Sequence, residues 1–105
     1  MKWATLDGNA PKIIAHRGAS GLMPEHTLEA YSLALAQGAD VIEPDLVQTA
    51  EGQLVIRHDR NLARSTDIGT REEFAMRKRD GDWWIEDLQL SDVMRLRAVQ
   101  PFPSR

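Results

Sequence analysis

The chain reads as an α/β fold: a parallel strand–helix–strand unit with a β-hairpin excursion after its second strand. Three observations carry this. Lys12-Ile13-Ile14-Ala15 and Val41-Ile42 are apolar without a clear polar face, as in parallel strands covered on both sides. Between them, Leu28 to Gln37 is a run of good helix formers closed by Gly38. Beyond them, Thr49-Ala50-Glu51-Gly52 separates two β-branched and aliphatic segments with a turn whose Gly accepts positive φ most easily.

At 105 residues the chain is one domain or less. An apolar fraction of 42% and a charged fraction of 28% are ordinary for a globular chain. A net charge of -3 gives no reason to expect nucleic acid as a partner. With no cysteine, disulfides, thiolate metal sites and a cysteine nucleophile are excluded. No run approaches the ~20 apolar residues of a membrane span. Met1 to Pro11 lacks the apolar segment of a signal peptide. The expected location is therefore the cytoplasm by default, or the periplasm or exterior if a signal has been removed.

The first strand, Lys12 to Ala15, ends in His16-Arg17-Gly18 and the small-residue loop Ala19-Ser20-Gly21. Pro24 precedes the helix, Thr27 is its expected N-cap, and Gly38 takes the C′ position. Leu28, Tyr31 and Leu35, at i, i+3 and i+7, predict a core-facing stripe. Asp40 to Leu46 is the parallel second strand, and Val41 to Thr49 reads on as the first arm of the hairpin, with Leu54 to Ile56 returning. Further on, 71–80 is dense in both charges and reads as a solvated face. Trp83-Trp84 is assigned to packing. Ser91 is expected to cap a short helix with Val93, Met94 and Leu96 inward, ended by Pro101-Phe102-Pro103.

Glu43 and Asp45 stand at i and i+2 of the second strand. Side chains alternate faces along a strand, so the two point the same way, about 7 Å apart along the backbone. Two like charges on an apolar strand resist burial, and a divalent cation between them resolves the conflict. Counting across the turn places His58 opposite Glu43 in one register and opposite Pro44 in the other. In parallel α/β units functional groups gather at the carboxyl ends of strands. One mouth thus collects His16, Arg17, Glu43, Asp45 and His58. Arg holds phosphate bidentately, His moves protons near neutral pH, and a metal neutralises charge on oxygen. Those are the parts that phosphodiester chemistry uses. The bland alternatives are a core histidine and a surface arginine at 16 and 17, and a solvated edge strand at 43–45, which Pro44 would suit. Asp59 reads as a turn former or an orienting partner, His26 as structural or as a support behind a site residue, and Glu25 stays open, with a place lining the mouth among its readings.

His16-Arg17-Gly18, Pro24-Glu25-His26-Thr27, Gly38-Ala39-Asp40-Val41-Ile42-Glu43-Pro44-Asp45, Thr49-Ala50-Glu51-Gly52 and His58-Asp59 resemble the successive motifs of the glycerophosphodiester phosphodiesterases. The likeness runs from about Ile13 to His58. It continues more loosely through Asn61–Asp67 and Glu86–Ser91. It implies the amino-terminal portion of a phospholipase C-like TIM (β/α)8 barrel that hydrolyses glycerophosphodiesters to glycerol 3-phosphate and an alcohol. It further implies His16 and His58 as the acid/base pair, Arg17 as phosphate ligand, and Glu43 and Asp45 as ligands of Mg²⁺ or Ca²⁺. The family usually has Asn where this chain has His26. Its third carboxylate ligand belongs to a later strand, and no residue here matches it.

Three functions stay open on these grounds: a phosphodiester hydrolase, a non-catalytic fragment or binding module that retains the motifs, and a related phosphodiester lyase. A barrel takes about 250 residues. The strands here therefore predict uncovered sheet edges, and with them self-association or association with the remainder of a barrel.

Overall fold

The computed structural model describes residues 3–102; Pro103 lies outside the described residues. In chain order the elements are β1 (Ile14–His16), α1 (Leu28–Ala36), β2 (Val41–Glu43), β3 (Leu46–Gln48), β4 (Leu54–Ile56) and the short helix α2 (Leu90–Val93). Three 3₁₀ turns, Ile68–Thr70, Glu72–Arg77 and Ile85–Asp87, lie between β4 and α2.

β1 and β2 pair in parallel, Ile14 beside Val41 and His16 beside Glu43. The connecting helix has the caps its sequence asks for. Thr27 Oγ1 accepts from the Ala30 N–H at 3.1 Å, and Gly38 follows the helix with φ 99°. β3 and β4 pair antiparallel, with Val47 opposite Val55. The turn between them closes through the Gly52 N–H donating to the Thr49 carbonyl.

Two sequence expectations fail here, each for a physical reason. The long arm from Val41 to Thr49 is two three-residue strands in separate sheets, broken at Pro44-Asp45. Pro44 has no N–H for a ladder, so pairing to β1 stops and pairing to β4 starts after it. The helix stripe is also displaced. Ala30, Tyr31 and Ala34 are buried, whereas Leu28 is 84% and Leu35 55% exposed. Small alanines let the helix lie close against the loop after β1, and the large leucines face away.

The core lies away from the strand–helix–strand unit. Leu62, Ile68, Phe74, Trp83, Ile85 and Leu88 form the buried cluster, with Val47, Val55, Val93 and Leu96 packed on it. The hairpin thus offers its Val47–Val55 face to the core, while Leu46, Leu54 and Ile56 on the other face are exposed. Polar groups within this half are closed internally. Trp83 Nε1 donates to the Phe74 carbonyl at 2.7 Å, and the Asp82 carboxylate takes the N–H groups of Ala63 and Trp83. Segment 71–80 is surface as expected except for Phe74, which is fully buried.

α2 departs from expectation as well. Its N-cap is Gln89, in a reciprocal capping box with Asp92; Ser91 lies within the helix and Met94 points outward. On the parallel pair, only Ala15 of β1 is buried, and Ile13, Ile14, Val41 and Ile42 are exposed. The radius of gyration, 16.8 Å, exceeds the roughly 13 Å of a compact domain this size.

Candidate active site

The segment between β1 and α1 folds back on the helix start. The Ala19 N–H donates to the Ala30 carbonyl at 2.9 Å, and the His26 N–H to the Arg17 carbonyl at 2.9 Å. Arg17 and His26 both take left-handed backbone conformations, φ 65° and 58°. Such angles are uncommon for side-chain-bearing residues and persist where surrounding contacts fix them. Gly18, at φ 81°, lies so close to α1 that no side chain fits there.

This loop, the end of β2 and the residues after β4 carry the five sequence-predicted site residues. His16 and Glu43 are register partners, and His16 Nε2 lies 3.6 Å from Glu43 Oε1. Arg17 Nη1 donates to Glu25 Oε2 at 3.1 Å. Its Nε–H is buried without a hydrogen-bond partner among the described residues. Asp45 Oδ2 lies 2.9 Å from His26 Nε2. The β3–β4 ladder continues past the strand ends: the Arg57 N–H donates to the Asp45 carbonyl at 2.9 Å. That register places His58 across from Pro44, the second of the two pairings open in the sequence.

His26 is more than a helix-start residue. Its side chain is 3% exposed and spans Asp45 and the Tyr31 hydroxyl, with 2.6 Å between Nδ1 and Oη. Tyr31 also donates to the Glu43 carbonyl at 3.0 Å. Burial raises the Tyr31 pKa above that of a free phenol, and the carboxylates of Asp45 and Glu43 push it the same way. Both candidate metal ligands are therefore tied to one hydroxyl, Glu43 through its backbone carbonyl and Asp45 through His26. On each carboxylate the second oxygen, Glu43 Oε2 and Asp45 Oδ1, has no hydrogen-bond partner among the described residues.

His58 has its own partner. Its Nδ1 lies 2.6 Å from Asp59 Oδ1. An ionised carboxylate only accepts, so Nδ1 carries the hydrogen and Nε2 faces outward. Asp59 is partly buried, which opposes ionisation. Hydrogen bonds from His58 and Arg64 outweigh this and hold its pKa below the ordinary carboxylate range. The turn after His58 is pinned by Arg57, whose guanidinium donates to the carbonyls of Asp59 and Asn61 and to Ser65 Oγ. Burial lowers the Arg57 pKa from its usual value, and the charge is met by dipoles in place of a direct ion pair.

Three contributors carry no role that the sequence alone assigns: Glu25, Tyr31 and Arg64. Tyr31 stands on the expected core stripe and is buried there, but it acts through its hydroxyl. Arg64 lies in the Asn61–Asp67 segment, where no spacing rule ties it to Glu25, 39 positions away. Among the described residues no three His, Asp or Glu side chains gather as a metal site would require. The pair at 43 and 45 still offers two hard anionic oxygens, a donor set suited to Mg²⁺ or Ca²⁺.

Comparison with known proteins shows the family. The glycerophosphoryl diester phosphodiesterase family model matches residues 16–105. A glycerophosphodiester phosphodiesterase of Haemophilus influenzae is 43% identical over 93 residues, which is 89% of this chain and 25% of that protein. One from Treponema pallidum is 38% identical over 94 residues, covering 89% and 26% respectively. Among solved structures, a glycerophosphodiester phosphodiesterase of Agrobacterium tumefaciens superposes with a TM-score of 0.70 at 35% identity, over 89% of this chain and 35% of that one. An Oleispira antarctica phosphodiesterase in complex with the product sn-glycerol-3-phosphate gives 0.67 at 34% identity, over 90% and 33%. The chain spans about a quarter of the length of the curated relatives it matches.

Proposed function

The chain belongs to the glycerophosphoryl diester phosphodiesterase family, and from that premise we propose that it contributes one side of the active site for hydrolysis of glycerophosphodiesters to glycerol 3-phosphate and an alcohol. Its elements are the amino-terminal portion of a TIM barrel, as in its structural neighbours. The observation that carries the reading is the β1–β2 register. It sets His16 beside Glu43 at the carboxyl ends of two parallel strands, with Arg17 next in the chain.

Arg17 binds the phosphate. Its partnerless, buried Nε–H is a donor whose desolvation has not been offset, and a phosphate oxygen brought to it would satisfy it while Nη1 keeps its contact with Glu25. His58 presents Nε2 to the substrate, because Nδ1 is committed to Asp59. His16 and His58 act on opposite sides of phosphorus, one taking the proton of the attacking water and the other returning one to the leaving alkoxide. Glu43 and Asp45 would hold a divalent cation, Mg²⁺ or Ca²⁺, through the oxygens left free by His16 and His26. When bound, that ion supplies charge stabilisation on the phosphoryl oxygens. The exposed apolar residues of the strand pair, Ile13, Ile14, Val41 and Ile42, associate with the remainder of a barrel or with a second copy.

The test is hydrolysis of glycerophosphocholine by a complete barrel that includes this chain, with and without chelator. Activity should disappear with chelator and return with Mg²⁺ or Ca²⁺. Substituting His16→Ala or His58→Ala should each lower the rate by about 10²–10⁴-fold, the usual worth of a positioned acid or base. A His58→Ala protein with unchanged turnover removes His58 from the chemistry, and turnover that ignores chelator removes the metal.

A further inference from the structure

Arg17 and His58 lie 41 positions apart, just beyond strands β1 and β4 of two different sheets, yet one unbroken line of ionic hydrogen bonds joins them. Arg17 Nη1 donates to Glu25 Oε2 at 3.1 Å, and Glu25 Oε1 accepts from Arg64 Nη2 at 2.8 Å. Arg64 Nε donates to Asp59 Oδ2 at 2.9 Å, and Asp59 Oδ1 meets His58 Nδ1 at 2.6 Å. The two carboxylates are each used through both oxygens. The Glu25 side chain is only 9% exposed and lines two clefts, one shared with His16 and Arg17, the other with His26 and His58.

A carboxylate this buried is costly unless fully paired. Here it has a guanidinium on each oxygen, so neither arginine can rotate away without stranding it. Arg64 is locked in turn from both sides, between Glu25 and Asp59, and Phe102 lies beside its guanidinium. Burial alone would lower the Arg64 pKa, but its hydrogen bonds to Asp59 and Glu25 raise it, so the group stays a cation. The four charges cancel in pairs, leaving His58 with an orienting contact and no excess field.

We propose that Glu25 and Arg64 are positioning residues, a bridge that holds the phosphate-binding guanidinium of Arg17 and the imidazole of His58 in one rigid frame. Neither touches the reacting atoms. Their effect on chemistry is to keep Arg17 aimed and to keep Asp59 turned toward His58 Nδ1, so that one tautomer is populated. The functional meaning rests on the hydrolase reading above; the bridge itself does not.

The experiment is long-range ¹H–¹⁵N spectroscopy of the imidazoles in the full chain near pH 8. His58 should appear as a single Nδ1–H tautomer. Arg64→Gln should convert it to a mixture containing the Nε2–H form, and Glu25→Gln should shift it the same way by a smaller fraction. Arg64→Lys keeps the charge but cannot fork between two carboxylates, and should give an intermediate mixture; it reads the same coupling if the Gln variants lose their fold. Asp82→Asn, a similar loss of a carboxylate outside the bridge, should leave the His58 signal alone. An unchanged His58 spectrum in the Arg64 variants overturns the proposal, as does an equal change in Asp82→Asn. Absence of phosphodiesterase activity in a complete barrel that includes this chain would instead sink the hydrolase reading while leaving these spectra as expected.

Discussion

Gly18→Ala tests how tightly the arginine-bearing loop is pressed onto α1. Gly18 has φ 81°, and an added Cβ would lie 2.8 Å from both the carbonyl carbon and the Cβ of Ala30, and 3.0 Å from its oxygen. Those atoms are helix backbone and the stub of a fully buried residue, so no flexible side chain can swing aside. The left-handed backbone costs an alanine about 1–2 kcal/mol, and forcing a methyl into filled space adds about 1–3 kcal/mol. The stiffer unfolded chain returns roughly 0.4–1 kcal/mol. The net expectation is a loss of about 1–5 kcal/mol. Gly52→Ala is the matched control: φ is 83°, but nothing lies within 4 Å of its Cβ, so only the conformational cost applies. Urea unfolding of the two variants and the parent measures both losses, the midpoints falling at an unchanged m-value. Equal losses at the two positions would refute the reasoning, because the difference between them is the overlap with Ala30.

Other outcomes rest on the same geometry. His26→Ala removes the contacts to Asp45 and Tyr31 and should cost about 2–4 kcal/mol in urea, given hydrogen bonds worth about 0.5–3 kcal/mol each. His26→Asn, which tolerates the left-handed backbone better, should cost less. Stability should fall in acid. The Asp59 and Asp82 pKa values are lowered on folding, so the unfolded chain binds more protons and the contribution, full above about pH 4, is lost as pH drops through the folded values. Urea midpoints from pH 7 to pH 3 measure this, and Asp82→Asn should flatten the slope. Phe74→Ala opens the centre of the core and should cost about 3–5 kcal/mol, while Met76→Ala at a 96% exposed position should be close to neutral in the same assay.

Much of the local structure is legible in the residues. Thr27, Gly38 and Gly52 mark helix and turn boundaries because each satisfies a backbone requirement that acts over three or four residues. The strand–helix–strand order and the hairpin arise from the same short-range chemistry. The break at Pro44 is legible in principle, since a missing N–H is a local fact, yet the apolar run on both sides outweighs it as a signal. The helix face misleads for a different reason. Large residues at helical spacing normally mark the buried side, but here α1 lies against a tightly folded loop, and only alanines and one tyrosine fit.

Within the candidate site, His16 beside Glu43 can be expected from parallel pairing alone. The contacts of Glu25 with Arg17 and Arg64, and of His26 with Asp45, cannot. They join loops whose approach depends on how the hairpin docks, and no periodicity encodes that. Phe74 is hidden among the charges of segment 71–80 by the same limitation, since a single apolar residue leaves no pattern.

The placement of the core downstream of the parallel strands bears on how the protein is made. Residues leave the ribosome amino-terminal end first, at about 5–20 per second. Ile13, Ile14, Val41 and Ile42 therefore emerge seconds before Leu62 to Leu88, which make up most of the packed interior. During that interval the nascent chain displays two apolar strand segments and a helix with exposed leucines, and has almost nothing to bury them against. That is the length range over which a holding chaperone would find its binding site. The hairpin can bury its Val47–Val55 face only once the Leu62–Leu88 segment has emerged, because that segment supplies the surface it packs on.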